Sequence, residues 1–280
     1  MKKNLENYQK AGEEIFHKIH LATYPVAFKY IKNIETEIPT GVRRPIDTGE
    51  KLSICQAITL ARRSGDKLCI TAEDNFCTPA SAGHGWVPIT KEEFVESQVR
   101  QGWSKDEQAE KRRAEQIYAK NFKNVIALAY RGVIIAPLNE TPVIPDSILL
   151  YGDGKQLTYL IHALTFEHKR KYAIRSNFEG FGESCGKGGF MPFITGKCQI
   201  VIPGAGDRSF AGIQDHEMGI GMPANYLFYV LENLFKVGGR QGLKLPLRQL
   251  LPMNLDERIT PGFKYMREVF DKHLKNPNKK

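Results

Sequence analysis

The 280-residue chain has no apolar run approaching the roughly 20 residues that span a bilayer, so no membrane helix is expected. No Cys-x-x-Cys pair occurs, and the compact ferredoxin spacings are missing. There is no Gly-x-Gly-x-x-Gly and no Gly-Lys-Ser/Thr after a glycine-led spacer, which sets aside a dinucleotide fold and a Walker loop. Helix-turn-helix patterning, an RNP-type aromatic pair and zinc-finger spacing are also absent. The opening, Met-Lys-Lys-Asn-Leu-Glu-Asn-Tyr, has no apolar core, so no signal peptide is expected and the protein is read as soluble and cytoplasmic. Five cysteines is an odd count. It argues against a disulfide framework and for thiols that are reduced, metal-bound or redox-active.

What is present is ordinary for a globular chain: 41% hydrophobic and 25% charged residues, enough to bury a core. The net charge of +9 favours anionic partners. The basic residues are spread out, however, with the densest runs at Lys111-Arg112-Arg113, His168 to Lys171 and the tail from Lys272. This dispersal argues against nucleic acid as the partner, and the tail reads as a solvated end.

Along the chain, Tyr8, Ala11, Ile15 and Ile19 recur at helical spacing within residues 3–20. Val26 to Ile31 reads as a buried strand. A long polar loop over residues 32–51 carries Arg43 and Arg44, which could reach an anion. Ser53 is placed to cap a helix through Arg63 that Gly65 stops. Lys67 to Ala72 reads as a strand that runs into the Cys77 loop. Two charged helices are expected over 91–121, then strands at Val125–Tyr130 and Val133–Ala136.

The second half repeats this order. A strand at Ser147–Tyr151 is followed by a helix from Lys155 to His168 and a strand at Lys171–Ser176. A Gly-rich loop around Cys185 comes next, then strands at Cys198–Ile202 and Met218–Met222, and a closing helix from Asn225 to Phe235. The expected fold class is therefore α+β. Two similar strand–helix–strand–Cys-loop–strand–strand halves, about 20–140 and 141–236, are related by a pseudo-two-fold, with mixed sheets and flanking helices. Residues 1–236 form one duplicated domain, and 237–280 a C-terminal extension.

The candidate chemistry centres on Cys77 and Cys185, each just past a strand end in a polar, Gly-rich loop. Cys55, in the first turn of a helix, joins them, and the positive end of the helix dipole is expected to lower its pKa. Three thiolates suit an iron–sulfur cluster or a zinc site, with Cys198, His84 or His216 as the fourth ligand. Against this stands the bland reading that free cysteines are small buried hydrophobes, which is preferred for Cys69 and evenly weighed for Cys198. Gly186-Lys187-Gly188 is weighed as an anion cradle against a plain turn, and Gly204 to Arg208 has the same ambiguity. Asp215-His216-Glu217 is read as either an acid/base or metal-ligand group, or a polar turn.

Taken together, Pro25-Val26-Ala27, Cys55-Gln56-Ala57 through Leu60-Ala61-Arg62, Asp74-Asn75-Phe76-Cys77, Gly182-Glu183-Ser184-Cys185 and Gly219-Ile220-Gly221-Met222-Pro223 carry a resemblance. The chain resembles the domain-of-unknown-function family 169 of bacteria and archaea, many of them anaerobic, over residues 20–236. The resemblance implies that Cys55, Cys77 and Cys185 are the family's cysteine positions. It does not extend to Cys69 or Cys198, and the charged insert at 91–121 departs from the shorter family pattern. The family implies no agreed activity.

The expected function is a redox or metal protein with a cysteine-ligated centre, an iron–sulfur cluster or alternatively zinc. Its partner would be a small-molecule substrate or a redox protein, and a homodimer is the default assembly. The alternative is a metal-free protein that binds a small anionic ligand through its Gly-rich loops.

Overall fold

A computed structural model of the protein describes residues 4–121, 130–167, 169, 174–175, 182–236 and 261–275. The chain divides into two units, Met1–Gly242 and Leu243–Lys280. In the first unit, α1 (Leu5–Lys18) starts where the Asn4 side chain accepts the Asn7 N–H at 2.9 Å, and it buries Tyr8, Ala11 and Ile15. After β1 (Val26–Ile31), α2 (Ile54–Ser64) opens on a reciprocal capping box between Ser53 and Gln56 and ends at Gly65, whose φ of 80° favours glycine. β2 (Leu68–Thr71) leads into the short α3 (Thr78–Gly83). The helices α4 (Lys91–Gln101) and α5 (Glu107–Asn121) pair through a small core of Phe94, Ala114 and Ile117.

Next come β3 (Gly132–Pro137), β4 (Ser147–Gly152), α6 (Gly154–Thr165), β5 (Ile174–Arg175) and a π-helix (Glu183–Phe190). The unit continues through α7 (Met191–Thr195), β6 (Cys198–Val201), α8 (Ala205–Ala211), β7 (Met218–Pro223) and α9 (Tyr226–Asn233). Of the second unit the described part is α10 (Pro261–Lys275), in which Phe263, Met266 and Phe270 recur at helical spacing.

The described strands form one mixed sheet in the order β2-β3-β1-β4-β7-β6-β5, antiparallel except for β5 beside β6. Strands of the first half of the sequence lie to one side of the β1–β4 seam and those of the second half to the other. The expected plural sheets are thus corrected to a single one, because β1 and β4 pair directly. Counted outward from that seam, β2 has its positional counterpart in β6 rather than in the strand expected at 171–176. Of the latter, only Ile174 and Arg175 are described, at the sheet edge. The strand expected at Val125–Tyr130 lies, but for Tyr130, outside the described residues.

Alternation along the strands gives each face of the sheet its own apolar row. Val26, Phe28, Tyr30, Leu149 and Tyr151 share one buried cluster with Ile54 and Ile58 of α2 and Phe190 of the π-helix. The opposite row, Ile148, Leu150, Ile220 and Met222, is fully buried, and α6 and α9 pack on that part of the sheet. The π-helix approaches the sheet more closely than a side chain permits. A Cβ on Gly188 would sit 2.9 Å from Leu149, one on Gly189 2.8 Å from Phe28, and one on Gly221 2.2 Å from the Gly188 carbonyl oxygen. Close packing therefore explains glycine at 188 and 189.

Candidate functional site

Cys55, Cys77 and Cys185, with Asp207, line one cavity of about 290 Å³. Cys55 is the second residue of α2, and its Sγ lies 3.0 Å from the Ser53 hydroxyl. Cys77 stands at the start of α3. The backbone ahead of these two is laced together: the Leu52 N–H donates to the Asp74 carbonyl and the Phe76 N–H to the Leu52 carbonyl, each at 3.0 Å. The fully buried Asp74 carboxylate accepts the Thr71 N–H at 3.0 Å, the Thr71 hydroxyl at 2.6 Å, the Ile46 N–H at 3.0 Å and the Arg44 guanidinium at 3.1 Å. Asn75 then takes the Cys77 N–H at 3.1 Å and donates to the Cys77 carbonyl and the Ser81 hydroxyl, both at 2.9 Å. These bonds tie the turn to itself and to the segment ahead of α2, so the Cys77 position is preorganised.

Arg44 is committed to this turn, and Arg43 lies 3.6 Å from Glu50 and 3.7 Å from Asp66. Arg44 thus takes a structural role, while the Arg43 side chain stays 41% exposed beside its two acids.

Cys185 is the third residue of the π-helix, a wide turn often found at functional sites. Gly182, at φ 60°, opens it, and its carbonyl accepts the N–H groups of both Gly186 and Lys187 at 2.9 Å. The segment Gly186-Lys187-Gly188 is thus helical rather than a loop. The buried Lys187 ammonium donates to the buried Glu183 carboxylate at 2.8 Å, and Gly188 is packed against Leu149. An anion cradle works through free backbone N–H groups, and here those of Gly186 and Lys187 go to the Gly182 carbonyl while the Lys187 cation is matched by Glu183.

Asp207 enters the cavity from the first turn of α8. Its carboxylate accepts the Gly204 N–H at 2.9 Å, and the Thr59 hydroxyl ties α8 to α2 by donating to the Ala211 carbonyl at 2.8 Å. Sequence reasoning passed over this carboxylate. Its signal was a helix-start pattern, Gly204 followed three residues later by an acid, hidden in a stretch that also reads as a turn.

The four groups burden one another. Burial pushes the Cys55 thiol up to about 11, with the nearby Asp207 as the next cause. Cys185 is driven well above its ordinary range, first by burial and then by Cys55, Asp207 and Cys77 in turn. Cys77 and Asp207 are raised chiefly by burial. The expected lowering of Cys55 by the helix start is overturned, because desolvation outweighs a dipole effect of roughly 0.3–1 kcal/mol. Without metal the three sulfurs are protonated thiols at neutral pH. A cation would displace those protons and turn mutual repulsion into shared attraction. Among the described residues, no three His, Cys, Asp or Glu side chains are placed to hold a metal ion as they stand.

The other candidates lie elsewhere. Cys198, in β6, is fully buried and lines neither this cavity nor the smaller pocket beside it. Cys69, in β2, packs with Ile31 and Ile134 as a small hydrophobe. His84 ends α3 and faces the smaller pocket, which shares Cys185 with the main cavity. His216 is exposed. Asp215 is exposed, 3.5 Å from Arg208, whereas Glu217 is buried and bound by Arg62, so of this acidic turn only Glu217 serves packing.

The family model for domain of unknown function 169, described as uncharacterised ArCR, matches residues 14–233. An uncharacterized protein of Methanocaldococcus jannaschii is 27% identical over 209 residues, covering 74% of this chain and 84% of that protein. No solved structure matches.

Proposed function

The chain belongs to the domain-of-unknown-function family 169, and within it we propose a redox or metal protein whose thiolate-bound centre occupies the cavity between α2, α3, the π-helix and α8. One observation carries this reading. Cys55, Cys77 and Cys185, 22 and 108 residues apart in sequence, line the same cavity. The cavity holds about 290 Å³, is half open, and has Gly182, Gly204 and Gly206 on its wall beside the three sulfurs and the Asp207 carboxylate. Soft sulfur donors select iron–sulfur clusters, zinc or copper(I) over magnesium or calcium.

We favour an iron–sulfur cluster over zinc. One tetrahedral ion needs all its sulfurs at about 2.3 Å, whereas a cluster sets separate irons opposite separate thiolates and suits a wider cavity. Such a centre supplies one-electron transfer. The chain's own contribution is to fix three sulfurs on rigid turns and to offer the Asp207 oxygen as a fourth donor, in place of Cys198 or His84. Phe210, 64% exposed, lines the same cavity and offers a contact for a small substrate or a redox partner protein. The free cysteines fit a reducing compartment such as the cytoplasm. The placement of the two sequence halves on either side of the β1–β4 seam supports an internal duplication.

Metal and acid-labile sulfide analysis, with an absorbance spectrum, on protein purified without oxygen tests the reading. Iron with sulfide, lost in each of Cys55→Ser, Cys77→Ser and Cys185→Ser but kept in Cys69→Ser, is the expected result. Stoichiometric zinc without colour replaces the cluster by a zinc site. A colourless protein that takes up neither metal under reducing conditions refutes the proposal.

A further inference from the structure

The family match ends at residue 233, and α10 lies beyond it, in the second unit. Its side chains Phe263, Met266 and Phe270 are 70, 61 and 64% exposed. At about 100° per residue the three fall within an arc of about 60° on one side of the helix. Lys264, Glu268, Asp271 and Lys272 fall on the opposite half. A single exposed apolar side chain needs no explanation, whereas three aligned on one helix face mark an interaction surface.

Charge decides what that surface fits. Residues 261–280 carry six Lys or Arg against Glu268 and Asp271, a net of +4 with histidine neutral. A second copy of the helix would bring the same charge and be repelled. At 15 residues α10 holds about two heptads, short of the roughly three or four that a coiled coil needs. A bilayer surface with anionic headgroups answers both features, because it pairs an apolar interior with negative charge in one plane. Large rings on one face, charges on the other and an excess of Lys and Arg are the pattern of a helix lying in that plane. None of the described helices is long and apolar enough to cross a membrane, so the contact would be peripheral.

We propose that α10 docks in the plane of an anionic lipid surface, with Phe263, Met266 and Phe270 among the acyl chains and the Lys and Arg side chains at the headgroups. Apolar burial and headgroup attraction both contribute, so affinity should rise with the share of anionic lipid and fall with salt. In a cell the anionic face of the membrane is the cytoplasmic one. The docking is independent of what the cysteine cavity holds.

Co-sedimentation of the reduced full chain with vesicles tests this. The chain should bind vesicles of phosphatidylcholine mixed with phosphatidylserine, and should not bind vesicles of phosphatidylcholine alone. Phe263→Gln combined with Phe270→Gln puts helix-forming residues on an exposed face and should abolish binding. Lys264→Gln and Lys272→Gln should each weaken it about fivefold, and Lys111→Gln, in the first unit, should leave it unchanged. Phe263→Trp supplies a second readout, a blue shift of its fluorescence on the mixed vesicles only. Absence of binding, equal binding to both kinds of vesicle, or binding that survives the paired Phe change overturns the proposal. A dimer in solution that the paired change dissociates also overturns it, by giving the face to a second copy. None of these outcomes depends on metal content, so this test and the metal analysis fail separately.

Discussion

Arg62 on α2 and Glu217 ahead of β7 form a two-pronged ion pair, Nη1 to Oε1 at 2.6 Å and Nη2 to Oε2 at 2.8 Å, with both side chains buried. The Arg62 guanidinium also lies over the Tyr151 ring at 4.4 Å and donates to the Thr23 hydroxyl at 3.1 Å. The pair joins the helix that carries Cys55 to the second half of the sheet. Arg62→Met leaves the buried Glu217 carboxylate with the Gln214 N–H and the longer contact to Arg63 at 3.4 Å, and a loss of about 3 kcal/mol, the low end for a broken buried pair, is expected in urea unfolding. Glu217→Gln keeps shape and one acceptor and should cost less. Equal stability of Arg62→Met and wild type would remove the pair from the account.

The thiols give a second prediction. In the metal-free protein Cys55 should react slowly with iodoacetamide at pH 7 and faster as pH climbs toward about 11. Asp207→Asn removes a negative neighbour of Cys55, Cys77 and Cys185 and should speed alkylation of Cys55. The stability consequence has a fixed sign. A thiol raised from 9.0 to about 11 keeps its proton in the fold while the unfolded chain loses it, so stability is present below pH 9 and lost between 9 and 11. Mass-resolved alkylation across that range measures it, and a Cys55 pKa below 8 contradicts it.

His84 works in the opposite direction. Its pKa is lowered from 6.5 to about 4, so the unfolded chain binds the extra proton first as pH falls. Stability should be full above pH 6.5 and decline toward pH 4, by roughly 3 kcal/mol in total. Replacing the ring with phenylalanine should flatten that stretch of the stability–pH curve. An unchanged slope in His84→Phe would place the acid sensitivity elsewhere.

A glycine pair separates packing from open space. Gly221→Ala drives a methyl into the Gly188 backbone and should destabilise by about 1–3 kcal/mol or more, displacing the π-helix that presents Cys185. Gly186→Ala, with nothing within 4 Å, should leave the melting temperature close to wild type. Similar losses from both would mean that the π-helix does not press on the sheet as described.

Residue types and short-range pattern were enough to recognise α1, β1, α2 and β3. Tyr8, Ala11 and Ile15 recur at the helical period, and Ser53, Gln56 and Gly65 mark both ends of α2 through bonds spanning three or four residues. The burial of Cys69 followed from its apolar neighbours. What stayed hidden depends on partners far along the chain. The direct pairing of β1 with β4 and the entry of Asp207 beside Cys55 and Cys185 have no local signature. The raised pKa of Cys55 is the clearest case. A helix start at Ser53 is legible from four residues, and it argues for a thiolate. Desolvation is set by everything packed around the sulfur, and it makes a thiol.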